Sequence, residues 1–374
     1  MTKKRVLILF GGKSGEHEVS IVSAKSVCQA LDRSKYDVVL VGINKEGRWL
    51  LPDESRLLAQ SSNPKLVTLN ATENAVAMLP YHSAGGLVNA STKNASPSPG
   101  GLNFDVVLPI LHGPNGEDGT MQGLLELADV PYVGAGVLGS AVCMDKDMTK
   151  RVLRDAGLPI VPYISLKRSA FEASTEGHLS QAESELGYPY FVKPANMGSS
   201  VGVGKVRNRT EALEKIKKAF EYDTKVLIEK AVSARELECA VLGNDHPKAS
   251  VIGEIVPHGE FYSYESKYVD ENGAELLIPA PELSPAQVKS LQHMAVQAFE
   301  VLECRGMARV DFFQDKNTGD FYINELNTIP GFTPVSMYPK LWEATGVPYA
   351  RLIDRLIELA CERHAEKARN KSSF

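Results

Sequence analysis

Near the C-terminal end of the sequence, two carboxylates and an amide can share one face. Asp311 lies in the run GMARVDFF, Glu325 and Asn327 lie in DFYINELN, and the turn DKNTG separates the two runs, with Gly319 as its permissive residue. Residues two apart in a strand point to the same side, so Glu325 and Asn327 share a face, and a hairpin partner brings Asp311 towards them. Val310, Phe312, Phe313, Tyr322, Ile323 and Leu326 make both strands apolar. Carboxylates set among such residues repel each other and are costly to bury without a partner. The residue types therefore point to a magnesium ion, which takes oxygen ligands and shares them with nucleotide phosphates. Arg309 falls on the same face. There a guanidinium can stabilise a phosphoryl group or a developing oxyanion, or pair with one of the carboxylates.

A second set of residues suits phosphate. Lys193 ends the strand-like run PYFVKP and precedes ANMGSSVGVG, which holds Gly198, Ser199, Ser200, Gly202 and Gly204. Glycines let backbone N–H groups approach phosphate oxygens closely, and the lysine adds charge. A plain glycine hairpin fits the same residues. Lys146, on the preceding helical stretch, offers a second cation. A third set is Glu229, Lys230, Ala231 and Val232, where a strand runs from polar to apolar and suits an adenine edge and face; Glu236 is placed to hold ribose hydroxyls.

The elements that must position these residues follow from periodicity. VLILF reads as a buried first strand, too short for the apolar core of a signal peptide, followed by the Gly11-Gly12 turn and a helix from about His17 to Leu31. Strands over Tyr36 to Ile43, Phe104 to Leu111 and VPYVG, with a helix near Thr120 to Ala128, predict a doubly wound parallel sheet over residues 1–135. Ligands of such sheets sit at the strand ends, where Gly11-Gly12 and His112-Gly113 fall. The Ser/Asn/Gly/Pro-rich stretch within 52–103 reads as a mobile surface excursion. Residues 136–230 and 231–374 make two further lobes of α+β type, the last with an amphipathic helix carrying Val288, Leu291, Met294, Ala295, Ala298 and Leu302 on one face.

Bulk properties limit the function. The 374 residues allow two or three domains at roughly 100–200 residues each. The net charge of -5 argues against a nucleic-acid binder. Five cysteines without ligand spacing read as reduced thiols in a cytoplasmic protein, and no run approaches the ~20 apolar residues of a membrane span. Gly12-Lys13-Ser14 ends like a phosphate-binding loop, but position 7 is Leu7 where that loop needs glycine. The GxGxxG match at 134–139 is equally explained by a domain junction, and Glu16, His17 and Glu18 by a helix start.

Taken together, GGKSGEHEVS, LHGPNGEDGTMQG, VKPANMGSSVGV, YSYESKY, ARVDFF and NELNTIPGFTPVSMYP resemble the ATP-grasp D-alanine–D-alanine ligases over essentially the whole length. The resemblance implies an N-terminal substrate domain followed by a two-lobed ATP-grasp unit, and a homodimer. Lys146, Lys193, Ser199 and Ser200 would contact the ATP phosphates, Glu229 the adenine amine and Glu236 the ribose, with Lys230, Val232, Phe261, Phe313 and Asn324 completing the pocket. Two magnesium ions, replaceable by manganese, would use Asp311, Glu325 as bridge and Asn327. Glu16 would hold the ammonium of the first D-alanine beside His112, Arg309 and the Gly331 N–H would form the oxyanion site, and Ser336 with Met337 would receive the second D-alanine. A lid over 258–279 would bring Lys267 to the γ-phosphate and Tyr268 towards Ser199 and Glu16. Relatives that make D-alanyl-D-lactate lack this Lys-Tyr pair, so SYESKY follows the dipeptide-forming pattern, while a D-serine acceptor needs only small pocket changes. Glutathione-synthetase-like ligases would share the metal face but not Glu16, the YSYESKY loop and Ser336, and a non-catalytic nucleotide binder would lack the carboxylates or Arg309.

Overall fold

The computed structural model describes residues 3–59, 64–69, 71–80, 86–90, 102–257 and 274–371. The first sheet uses β1 (Lys4–Gly11), β2 (Tyr36–Ile43), β3 (Trp49–Pro52), β4 (Ala71–Met78), β5 (Leu87–Asn89) and β6 (Val106–Ile110), in the order β5-β4-β3-β2-β1-β6. β1 pairs parallel with both β2 and β6. Val6 to Phe10 are buried, as an interior strand of a sheet covered on both faces requires. Helix α1 (His17–Ala30) covers one face and, beyond α2 (Glu54–Leu58), α3 (Thr120–Leu127) packs on the other.

The sheet is only partly parallel. β3, β4 and β5 add antiparallel strands at its edge, so part of the stretch expected to be a surface excursion is sheet. Val76, Met78 and Leu87 enter the same core as Leu7 and Leu9, which explains the pairing. VPYVG contributes only an isolated bridge between Val107 and Tyr132.

After α4 (Val137–Met144) and α5 (Lys146–Asp155) comes an antiparallel sheet of β7 (Tyr163–Lys167), β8 (Tyr190–Pro194), β9 (Gly204–Val206) and β10 (Lys225–Lys230), ordered β7-β10-β8-β9. Helices α6 (Arg168–Ala173), α7 (Thr175–Leu186) and α8 (Arg209–Ala219) cover it and close a core of its own, including Leu179, Ala182, Ile216 and Val226.

The third sheet holds β11 (Ala234–Gly243), β12 (Lys248–Pro257), β13 (Ala274–Leu277), β14 (Gly306–Asp315) and β15 (Phe321–Asn327), in the order β13-β12-β11-β14-β15. Helix α9 (Pro285–Val301) starts with a capping box between Ser284 and Gln287 and buries Leu291, Ala295 and Ala298, the expected face. Helices α10 (Met337–Ala344) and α11 (Tyr349–Lys367) join this sheet to the first through one core that contains Tyr338, Trp342 and Leu352 together with Ile8 and Phe10. The range assigned to a lid, 258–279, includes the edge strand β13; Phe261, Lys267 and Tyr268 lie outside the described residues.

Candidate active site

A cavity of about 730 Å³ lies between the second and third sheets, a size suited to a nucleotide. Lys146, Lys193, Ser199, Ser200, Glu229, Lys230, Val232, Glu236, Asp311, Phe313, Asn324, Glu325 and Asn327 all line it. The cavity lining does not include Glu16, His112, Arg309, Gly331, Ser336 or Met337.

The metal face is built by strand register. On β14 the core takes Val310 and Phe312, leaving Arg309, Asp311 and Phe313 on the opposite side. Asp311 stands directly opposite Glu325, and Arg309 opposite Asn327. Between these pairs and the next, β15 carries one extra residue, Asn324. Such a bulge re-aims side chains, and here Asn324 and Glu325 both line the cavity although they are consecutive.

The carboxylates are compensated. Arg309 forks Asp311, with Nε to Oδ1 at 2.7 Å and Nη2 to Oδ2 at 2.7 Å, and its Nε also lies 2.8 Å from Glu238. The Asn327 amide donates to Asp311 Oδ2 at 2.9 Å, and Lys146 Nζ stands 3.7 Å from Glu325. Side-chain exposures of 14% for Asp311 and 24% for Glu325 place both at the cavity wall rather than in the core. The expectation of partnerless buried carboxylates is thus corrected, and the pairing of Arg309 with a site carboxylate is what the structure holds. Among the described residues no cluster of three or more His, Cys, Asp or Glu side chains could hold a metal. Two carboxylates and an amide oxygen facing a cavity still offer the hard donors that magnesium takes when phosphates complete its shell.

The phosphate side is organised by buried charge. Asp145 caps α5, accepting from the N–H groups of Asp147 and Met148, and so fixes Lys146 in the first turn. Lys146 Nζ donates to the Met197 carbonyl at 2.7 Å, tying α5 to the Gly-Ser loop. Ser199 and Ser200 in that loop both adopt positive φ, +49° and +58°, a strained conformation that clusters at binding sites. Glu229 is buried with its oxygens held by Lys193 and Lys150, each at 2.6 Å. Burial alone would push the Glu229 carboxyl up, but the two ammonium groups outweigh it and hold it below the usual range.

The second pocket gathers around Glu16, which the Ser199 hydroxyl donates to across the boundary between the first and second sheets. Added Cβ atoms at Gly113 or Gly198 would stand 2.9 Å from its Oε2, so a side chain at either position requires the Glu16 carboxylate to move. His112 is buried and its Nδ1–H donates to the Ile329 carbonyl at 3.0 Å. Burial pushes its pKa down, keeping the ring neutral, and Nε2 has no hydrogen-bond partner among the described residues. On α10, Ser336 Oγ accepts from Thr333 N–H at 3.1 Å and lies over Gly331, whereas Met337 turns into the core against Gly253. His17 donates to the Gly12 carbonyl and Glu18 pairs with Lys45, so the Glu-His-Glu run is a helix start and not a metal cluster.

Two residues escaped sequence reasoning. Glu117, inside the quoted motif LHGPNGEDGTMQG, accepts from Gly113 N–H at 2.9 Å and lines the cavity. Burial and the Glu16 charge push its carboxyl up to about 8, with Lys146 opposing and Glu325 adding to the shift. The other is Lys150. Its only signal was the spacing of one helical turn from Lys146.

Two sheets clasping a cavity, with a lysine on each side of a glycine-serine loop and carboxylates on the facing strands, define an ATP-grasp ligase architecture. Family models described as D-ala D-ala ligase N-terminus and C-terminus match residues 5–135 and 152–358. The chain is 52% identical over 373 residues to a D-alanine–D-alanine ligase of Oceanobacillus iheyensis, covering 99% of each, and 50% identical to D-alanine–D-alanine ligase A of Escherichia coli K12, covering 98% of each. Among solved structures, the D-alanine-D-alanine ligase of Coxiella burnetii superposes with a TM-score of 0.82 at 41% identity, over 98% of this chain and 97% of that one. The VanG D-Ala:D-Ser ligase of Enterococcus faecalis gives 0.82 at 34% identity, over 96% of this chain and 100% of that one. This chain belongs to the D-alanine–D-alanine ligase family.

Proposed function

We propose that this chain joins two D-alanine molecules into D-alanyl-D-alanine, a cell-wall precursor, with ATP converted to ADP and phosphate. The observation that carries the reading is the continuity of the two pockets: Ser199, which lines the phosphate cavity, donates its hydroxyl to Glu16. An amino acid held by its ammonium at Glu16 therefore stands beside the phosphate cavity.

The chemistry follows from the groups present. A carboxylate is a poor electrophile. Its oxygen attacks the γ-phosphorus of ATP, the bond to ADP breaks, and an acyl phosphate forms. The amine of the second D-alanine then attacks the carbonyl carbon, gives up a proton, and phosphate leaves as the amide bond closes. Lys146 and Lys193 offset the charge of the triphosphate, while Lys230 to Val232, Phe313 and Glu236 line the nucleoside end. Asp311, Glu325 and Asn327 would hold magnesium or manganese, which supplies charge neutralisation at the phosphates. Arg309, held by Glu238 and Asp311, would stabilise the oxyanion beside the Gly331 N–H. Neutral His112 accepts through Nε2 from the first amino acid's ammonium, and Ser336 meets the second carboxylate.

We place the protein in the cytoplasm, where its five free cysteines stay reduced, and take it as a homodimer from the family resemblance alone. Sedimentation analysis measures the assembly. Likeness to a D-Ala:D-Ser ligase makes D-serine the second acceptor to examine. Phosphate release with D-alanine, D-serine or D-lactate as acceptor tests the reading. D-alanine should give the fastest ATP-dependent product; a preference for either other acceptor sinks it.

A further inference from the structure

A fully buried lysine stands behind the phosphate lysine. Lys150 has no exposed surface and does not line the cavity, yet its Nζ lies 2.6 Å from Glu229 Oε2 and over the Tyr163 ring, 5.8 Å from the centroid. The other oxygen of the same carboxylate faces Lys193 Nζ at 2.6 Å, and Lys193 does reach the cavity, with Nζ also 3.4 Å from Asn324 Oδ1. The three groups form a row: a buried ammonium, a buried carboxylate, and an ammonium at the wall. Its formal charge is +1, from two lysines and one glutamate. Removing one member of a buried ion pair leaves an uncompensated charge, which is strongly unfavourable. With Glu229 already paired to Lys150, Lys193 can turn to an anion without leaving the carboxylate alone.

We propose that Lys150 is a positioning residue for ATP: as the permanent counter-ion of Glu229, it releases Lys193 to the nucleotide phosphates. The inference rests on the reading that Lys193 serves those phosphates. Without Lys150, Glu229 retains Lys193 as its ammonium partner among the described residues, and phosphate must compete with a buried carboxylate for it. The loss therefore falls chiefly on phosphate recognition, because Glu229 keeps its place at the cavity wall while Lys193 is drawn from the phosphates. A merely structural lysine would weaken phosphate and nucleoside recognition alike.

Calorimetric titration of the full chain with ADP and with adenosine separates these cases. Lys150→Met should weaken ADP by about tenfold or more, the worth of a charge-assisted contact, and leave adenosine within about twofold. Equal loss for both ligands, or none for either, overturns the proposal. In a Glu229→Gln background Lys150→Met should change the ADP-to-adenosine ratio no further; a continued drop means that Lys150 does not act through Glu229. Should Lys150→Met fail to fold, NMR of nitrogen-labelled lysine side chains in the parent chain decides. On ADP addition the Lys193 signal should shift while Lys150 stays unchanged, and the reverse overturns the proposal. Lys193→Met tests the reading beneath it. Unchanged ADP affinity there removes the phosphate role of Lys193, whereas loss there with none in Lys150→Met overturns only the role of Lys150.

Discussion

The four-stranded sheet keeps its core to itself, whereas the six- and five-stranded sheets share one through α10 and α11. The charged groups divide along the same line. Glu16, His112, Arg309 and Asp311 ride on the shared-core platform; Lys193, Ser199 and Glu229 ride on the separate sheet. Contacts that cross between them near the site are polar, such as Ser199 to Glu16 and Lys193 to Asn324. A sheet joined to its platform by polar contacts can shift as a unit while both cores stay closed, the usual basis of domain closure. The cleft between two such bodies is where a nucleotide can be taken up and released.

The comparison breaks first if platform charges are dispensable. Arg309→Ala and Glu325→Ala should each lower turnover by about a hundredfold or more, as removal of groups that stabilise developing charge does. The Arg309 variant should also melt earlier, because Glu238 and Asp311 lose their guanidinium. Steady-state rates near the parent value in both would refute the site. Independence of the cores is tested by Ile216→Ala and Leu352→Ala, each costing about 2–5 kcal/mol as a buried truncation. Hydrogen exchange should rise mainly within 163–230 for the first, and in both other sheets for the second. Uniform acceleration in both variants would mean one cooperative core.

Glu117 makes the platform sensitive to pH. Its folded carboxyl titrates at about 8, above the unfolded value of 4.5, so the folded state binds a proton that the unfolded state releases between those values. Stability tied to this group is present below the unfolded value and lost as pH rises towards 8. Glu117→Gln removes that loss, so its melting temperature should gain on the parent by several degrees between about pH 4 and about pH 9, values chosen to bracket the window. A constant difference across the range would contradict the assignment. The smallest effect belongs to Ser199→Ala, which removes one hydrogen bond between sheet and platform. KM for D-alanine should rise about threefold to tenfold with kcat little changed; a loss confined to kcat would place Ser199 in the chemical step instead.

Strand alternation made the metal face legible: Val310 and Phe312 go inward, Asp311 outward, opposite Glu325. The bulge at Asn324 was not legible, because an inserted residue leaves the same apolar pattern while changing which side chains face the cavity. Arg309 next to Asp311 allowed either an oxyanion role or a salt bridge, and only coordinates could give the fork. Lys150 was hidden because KDMTKRVLRD reads as a solvated helix, and its burial depends on Glu229, a residue 79 positions away by the difference of their numbers. The N-terminal sheet extended beyond expectation because β5 is three residues long, and β4, eight residues of ATENAVAM, offers little apolar alternation beside turn-forming residues that dominate the local signal.

Reaction with D-alanine labelled with heavy oxygen in its carboxylate tests the account most directly, since an acyl phosphate carries one carboxylate oxygen into the phosphate that leaves. Mass analysis should find one heavy oxygen in the released phosphate for each D-alanyl-D-alanine formed. Unlabelled phosphate alongside ATP-dependent dipeptide would contradict the mechanism assigned to this cavity.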